Sequence, residues 1–553
     1  MKKSMGAKVM AMAMAVMVAG NLLTACGSNP AGNQPGNSPS ATPSAAATTP
    51  GGGEAVDLSL PIAKEKITLE YFCNINGAMS ATMSTYNEVE AFKKFEELTN
   101  IHIEWIHPTG GNEQFALMVA SGDLPDMINW VFESAKGGAE ALLRDSIIIP
   151  ITDQDLSTYM PNYMKIMAQN EAFFQSTKLD NGINFRVANF NYNPDTMKIE
   201  EFQIKGPYMR LDWVEKVGKS VPTTIDEMYE VLTALRDQKP NGKSDIIPFA
   251  DDKSLTATKA LAGSFGTRQN MHMRDGAVVY GPITPEYRTY LETMNKWYGE
   301  GLINSDFAVL ESRDAKILNE DAASTIGSMG SGLTMQREAL IEKNPQANLD
   351  SIPYLVGPDG YQSLIDDKNK NMRSTAITSS NKYPEETMRW LDYFYSEEGS
   401  LLATYGIEGE SYEMKDGKPM LTDLVMNNTQ GYSQEEAIAR YALGPINFPY
   451  ARHIGFYEQV NLNTDQKVLI QTNWKTGDSK ILMPPNTLTA EEANQYAILM
   501  ADIQTYVDEM TLKFIIGQEP LSNFDKFVDS IKNMNIEKAV KIQQDSVDRY
   551  NSR

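Results

Sequence analysis

Two cysteines and four histidines among 553 residues leave no material for a disulfide framework or a histidine-rich metal centre. The histidines, at 102, 107, 272 and 453, are scattered. No H-E-x-x-H, G-x-S-x-G, P-loop or strand-following G-x-G-x-x-G occurs, so the common signatures of zinc hydrolysis, serine catalysis and nucleotide binding are all missing. Gly327-Ser328-Met329-Gly330-Ser331-Gly332 is glycine-rich but lacks the lysine and spacing of a phosphate cradle; it suits a close backbone approach to a solute or hinge. Positive charge is also scarce. Lysine and arginine number 49 against 72 acids, a formal charge of −23 that repels nucleic-acid phosphates and anionic bilayers. What is present is ordinary globular material, 42% hydrophobic and 22% charged, in a chain long enough for about three folding units or two large ones.

The first residues form an address. Lys2, Lys3 and Lys8 precede an apolar stretch over 9–19 that is too short to span a bilayer but right for a signal peptide. Leu23-Thr24-Ala25-Cys26 resembles the lipobox of bacterial lipoproteins, in which cleavage before the cysteine is followed by acylation of its thiol. The resemblance makes residues 1–25 a lipoprotein signal peptide, Cys26 the lipid attachment point, and the extracellular face of a Gram-positive type of cell membrane the location. Two acyl chains would anchor the product stably. Cleavage removes three lysines and no acid, taking the charge from −23 to −26. Residues 27–53 contain only Gly, Ser, Asn, Pro, Ala, Gln and Thr, so 26–56 reads as a lipidated cysteine on a flexible tether spanning about 30 Å. Cys73, the remaining thiol, lies in an apolar run and reads as a small buried hydrophobe.

Beyond the tether the pattern is α/β. Residues 67–72 read as a strand, 89–98 as an amphipathic helix and 101–105 as a second strand, together a βαβ unit; a helix over 112–120 and a strand over 127–130 follow. Further helices are expected over 224–236, 286–298, 385–395, 490–513 and 525–550, with strands near 185–190, 323–326, 352–355 and 375–377. Thr223 or Thr224 is placed to cap the 224–236 helix, with Asp226 and Glu227 in its first turn.

Ser121-Gly122-Asp123-Leu124-Pro125-Asp126 resembles the S-G-D-L-P-D turn of bacterial extracellular solute-binding proteins that feed sugar ABC importers. Arg210-Leu211-Asp212-Trp213, Pro222-Thr223-Thr224-Ile225-Asp226-Glu227, Glu300-Gly301-Leu302, Ser396-Glu397-Glu398-Gly399, Gly406-Ile407-Glu408-Gly409 and Asp548-Arg549-Tyr550 follow in the family's order. The resemblance covers nearly the whole body and is nearest to the large Gram-positive lipoprotein members. It implies a two-lobed periplasmic-binding-protein-like fold of the class II type, with a hinge and an interlobe cleft. The lobes are expected at about 57–195 plus 352–400 and 196–351 plus 401–553. The implied function is a monomeric, lipid-anchored receptor that closes around a carbohydrate, an oligosaccharide, and hands it to ABC importer permease subunits. It has no cofactor and no catalysis. The alternatives are an exported carbohydrate-active enzyme using a carboxyl pair, and a ligand-presenting surface sensor.

Open α/β sheets bind solutes beyond the carboxyl ends of their strands. On that rule Asn74, Asn76, Trp130, Glu133, Tyr192 and Arg210 are candidate ligand-binding residues, since sugars call for flat aromatic faces with amides, carboxylates and guanidinium groups. Core packing is the competing role for each aromatic, above all for the mid-helix Trp297 and Trp390. Arg210, Arg373 and Arg452 are able to make a cationic cleft in an acidic protein. In related oligosaccharide binders the segment holding Glu408, Glu410 and Tyr412 approaches the ligand; here it is either that or a solvated turn.

Two departures from the family stand out. Where some large members carry a calcium loop, residues 237–246 place Lys239 at an oxygen-ligand position and Ile246 at the acid. No tight metal site is expected there, with the Lys239 ammonium in the cation's place and paired to Asp237 or Asp245. After Phe265-Gly266 the chain has Asn270-Met271-His272 where relatives place a stacking tryptophan, which points to a solute other than the uronate oligosaccharides of the best-known large members.

Overall fold

The computed structural model of the protein describes residues 56–553 except 76, 81, 201–204, 363, 366–372, 444–447, 458, 461–468 and 471. The expected βαβ unit opens the body. Strands Ile67–Phe72 and Ile101–Ile106 run parallel in full register, and Met127–Trp130 joins the other side with Tyr71 opposite Met127. The crossover helix Glu90–Thr99 buries Ala91, Phe92 and Phe95 on one face and ends at Asn100, whose left-handed φ of 60° turns the chain into the next strand. Ser374–Ile377 returns antiparallel with Ser374 opposite Trp130, and Val187–Ala188 completes the five-stranded sheet.

A second sheet is built on Lys205–Arg210, flanked antiparallel by Ser324–Ser328 and Leu349–Ser351. Its helices start where their caps dictate: the Thr224 hydroxyl accepts from the Glu227 amide at 3.1 Å, and Thr489 forms a capping box with Glu492 ahead of Ala490–Ile515. Thr224, of the two threonines considered, is therefore the cap.

The architecture is two-lobed. One core gathers Leu69, Tyr71, Phe92, Trp390, Phe394 and Phe448; another gathers Met209, Trp213, Leu291, Trp297, Phe514 and Phe527. Trp297 and Trp390 are thus core residues. Each core also draws on segments far apart in the chain. Ile352 and Leu355 pack into the second core, with the Ile352 amide bonded to the Pro207 carbonyl of the central strand. Leu402, Ala403 and Ala451 pack into the first.

Three elements differ from expectation, the first being the strand near 185–190, which is two short strands in different sheets, Val187–Ala188 and Phe190–Asn193. The strand near 352–355 lies instead at Leu349–Ser351, the apolar residues after it being buried as loop. The single helix over 525–550 is two, Phe524–Asn533 and Ile536–Asn551, broken at Asn535, which takes φ 65°. Among the described residues no helix is long and apolar enough to cross a membrane.

Candidate functional site

The carboxyl edge of the first sheet collects four of the expected residues. Asn74 follows the first strand, Trp130 and Glu133 end and follow the third, and Arg373 immediately precedes the antiparallel strand whose Ser374 faces Trp130. Trp130 is buried, stacked on Phe115 with ring centroids 4.9 Å apart, and the Arg373 guanidinium lies 5.1 Å from its ring centroid. Arg373 donates to the Asn129 carbonyl at 3.3 Å. Glu133 accepts from Arg186 at 2.5 Å, and Arg186 also donates to the Thr177 and Ser176 carbonyls, so this buried arginine is tied down by groups of the same lobe.

Several polar atoms along this edge are buried with no hydrogen-bond partner among the described residues: Asn74 Oδ1, Asn129 Oδ1, Glu133 Oε2, Ser374 Oγ and His107 Nε2. Such atoms are uncommon in folded proteins, and a row of them asks for a partner. His107 follows the second strand. Its Nδ1 meets the Cys73 carbonyl at 2.7 Å, which fixes the proton on that nitrogen and leaves Nε2 as an acceptor. Burial holds the imidazole below its ordinary pKa and thus neutral. Tyr86 meets its ring edge-on at 4.8 Å and Trp105 lies parallel at 6.1 Å. Cys73 is the inert, buried thiol expected, its pKa pushed up to about 12 by desolvation. His107 was passed over in the sequence as one of four scattered histidines, although it follows its strand as closely as Asn74 follows the first.

The remaining expected residues are elsewhere. Tyr192 lies beyond the same edge but in a separate small sheet, opposite His453 and with ring centroids 6.4 Å apart. Arg210 belongs to the second lobe. Its Nε and Nη2 are bound to Asp212, at 2.8 and 2.7 Å, its Nη1 has no hydrogen-bond partner among the described residues and lies 3.8 Å from Glu320, and its face covers Trp213 at 4.1 Å. Arg452 is buried between the hydroxyls of Tyr450 and Tyr457, at 2.6 and 2.5 Å. Glu408 and Glu410 are exposed on a turn, and Tyr412 packs in a small core against Tyr405. Asn76 and Cys26 lie outside the described residues.

The second lobe holds a cavity of about 410 Å³ lined by residues including Lys259, Arg268, Gln269, Asn270 and Ile365. It includes the segment where relatives were expected to place a stacking ring, and here the lining mixes Lys259, Arg268, Gln269 and Asn270 with Leu364 and Ile365. Glycines mark close approaches. A Cβ on Gly327 would lie 3.0 Å from the Tyr208 hydroxyl, and one on Gly330 would lie 3.4 Å from a carboxylate oxygen of Glu435. The glycine-rich run therefore lets backbone pass a buried tyrosine and the Gln434–Ala439 helix. In the 237–246 loop the Lys239 ammonium bonds the Ser244 carbonyl rather than an acid, and Asp237 is taken by Arg236 at 2.8 Å. No cluster of metal-ligating side chains occurs among the described residues.

Residues 83–400 match the bacterial extracellular solute-binding protein family. The chain is 24% identical over 454 residues to lipoprotein LipO of Bacillus subtilis, covering 79% of this chain and 85% of that one. It is 22% identical over 517 residues to the fructooligosaccharide ABC transporter substrate-binding protein FusA of Streptococcus pneumoniae, covering 88% and 91%. Among solved structures, the alginate-binding protein AlgQ2 without calcium ion superposes with a TM-score of 0.69 at 21% identity, over 88% of this chain and 99% of that one. A two-lobed α/β fold, a strand-end edge with unmet polar groups and a match through more than half the chain make this protein a member of the bacterial extracellular solute-binding proteins.

Proposed function

We propose that this protein is a monomeric, lipid-anchored receptor that binds an oligosaccharide between its two lobes and delivers it to the permease of an ABC importer. The row of unpartnered buried polar atoms beside Trp130 carries the reading. Sugar hydroxyls donate and accept in two directions, so one ligand satisfies Asn74 Oδ1, His107 Nε2 and Ser374 Oγ while its CH face lies on an aromatic ring. The ligands named for FusA and AlgQ2, fructooligosaccharide and alginate, support the class. The anchor rests on the Leu23-Thr24-Ala25-Cys26 sequence and on the likeness to a lipoprotein. Closure of the lobes would bring the second-lobe cavity to bear on the ligand.

A glycan panel read by thermal unfolding tests this. A true ligand at one hundred times its Kd stabilises by about 2.7 kcal/mol. Stabilisation with the glycan recovered intact supports a receptor, whereas cleavage of the glycan would make the protein an enzyme.

A further inference from the structure

We infer that the oligosaccharide is acidic, and that Arg373 receives a carboxylate of it. This rests on the carbohydrate-receptor reading and narrows its substrate class. The chain carries 23 more acids than bases, so an arginine in it has no shortage of counter-ions. Its other edge arginine, Arg186, has Glu133 at 2.5 Å. Arg373 differs. Among the described residues no carboxylate lies within ion-pair distance of it, and its hydrogen bonding is a single 3.3 Å contact from Nη1 to the Asn129 carbonyl. Its guanidinium is half-buried over Trp130, 5.1 Å from the ring centroid, which removes water from one face.

A half-buried guanidinium with no counter-ion among the described residues keeps donors free, and a planar carboxylate taken bidentately by the fork uses them better than a hydroxyl does. The local charge balance agrees. Glu133 is neutralised by Arg186, and Asn74, Asn129 and Ser374 are uncharged, leaving Arg373 as the edge's net charge. Asp126 stands at the opposite, amino end of the Met127–Trp130 strand, where it accepts from the Glu70 amide at 2.8 Å. The neutral acceptors Asn74 Oδ1 and His107 Nε2 then take hydroxyl protons of the same sugar. The ligand is thus a hexuronate oligomer rather than a neutral one. This reverses the expectation drawn from the missing tryptophan after Gly266, because loss of a stacking ring bears on the sugar's CH face and not on its charge.

The test is calorimetry on the full chain with oligomers of galacturonate, glucuronate, mannuronate and guluronate, each beside its methyl ester, together with neutral fructo-, xylo- and malto-oligomers. Binding of one acid series, with its ester at least tenfold weaker, is the expected result. Arg373→Gln should remove that preference, and Arg373→Lys, which keeps the charge without the fork, should restore part of it. The ester comparison uses the wild-type chain alone, so it stands even where the Arg373→Gln variant fails to fold. Binding of neutral oligomers alone, or equal affinity for acid and ester, overturns the inference and leaves the receptor reading intact. Failure of every glycan overturns both.

Discussion

An arginine near a cleft is available to a ligand only when its own neighbours have left its donors free, and Arg210 and Arg373 fall on opposite sides of that condition. Arg210 looks like a ligand group in sequence because it ends a strand, yet two residues later the chain supplies Asp212, which takes its Nε and Nη2, then Trp213, which takes its face, and its remaining Nη1 is buried 3.8 Å from Glu320. We expect Arg210→Ala to lower stability by about 3–5 kcal/mol in urea unfolding, because Asp212 loses its partner in a largely buried place, while ligand affinity stays unchanged. A lost affinity at unchanged stability would move Arg210 into the site. Asp392 is a second case where burial decides. It caps the Pro161–Met167 helix through the Tyr163 amide at 2.8 Å and the Asn162 side chain at 2.7 Å, yet desolvation raises its pKa from 3.8 to about 6. A pKa higher in the fold than in the unfolded chain contributes stability below about pH 3.8 and loses it as pH rises through about 6. The unfolding temperature of the wild type relative to Asp392→Asn should therefore fall between pH 4 and 7; parallel curves would contradict the assignment. Neither property was legible in the sequence. Position relative to a strand end is local and readable, as Asn74 and Trp130 show, but whether a polar group is already occupied depends on partners hundreds of residues away, as with Thr375 and Asn129.

Elements were more legible than residues because their signals are periodic and local. The Ile67–Phe72 and Met127–Trp130 strands and the helix start at Ala490 were readable to the residue, each marked by alternation, an apolar run or a cap. The failures have physical causes. Burial of Ile352 and Leu355 mimics a strand although the pairing with Lys205–Arg210 runs out after the Ile352 amide, and a helical pattern runs unbroken across Asn535 although that residue turns left-handed. The 237–246 loop shows what one substitution does to an element. Lys239 closes the Ile225–Gln238 helix at φ 49° and sends its ammonium to the Ser244 carbonyl, while the Asn241 amide holds the Asp245 carbonyl at 3.1 Å. A cation is thereby part of the chain. Millimolar calcium and EDTA should both leave the unfolding temperature unchanged, and Lys239→Ala should cost only about 0.2–1 kcal/mol, the range of a solvent-exposed charge contact. A chelator-dependent fall in unfolding temperature would show instead that the loop binds an ion.

At the scale of the whole molecule the question is what joins two cores that the chain enters more than once. One answer is Asp180, beside Leu179 of the first lobe. Its backbone amide donates to the Thr487 hydroxyl at 2.8 Å, and its carboxylate accepts from the Thr487 amide at 3.1 Å and the Ser546 hydroxyl at 3.2 Å. Arg553 also donates to it, and Arg549 lies 3.7 Å away. Glu140, in a first-lobe helix, accepts from the Ala490 amide at 2.6 Å, so a carboxylate from one lobe completes the helix N-terminus of the other. Both acids meet elements whose other faces, at Ile503, Val507 and Val547, belong to the second core. Asp180→Ala removes the acceptor of the Thr487 amide and one acceptor each of Ser546 and Arg553, while Arg549 keeps Glu492 at 2.6 Å. Hydrogen exchange should then rise in 484–489 and along Ile536–Asn551, while the Ile67–Phe72 strand keeps its protection and ligand affinity changes little. Equal loss of protection in that strand would mean that Asp180 supports the first core itself, and the two lobes would be joined chiefly by their apolar contacts.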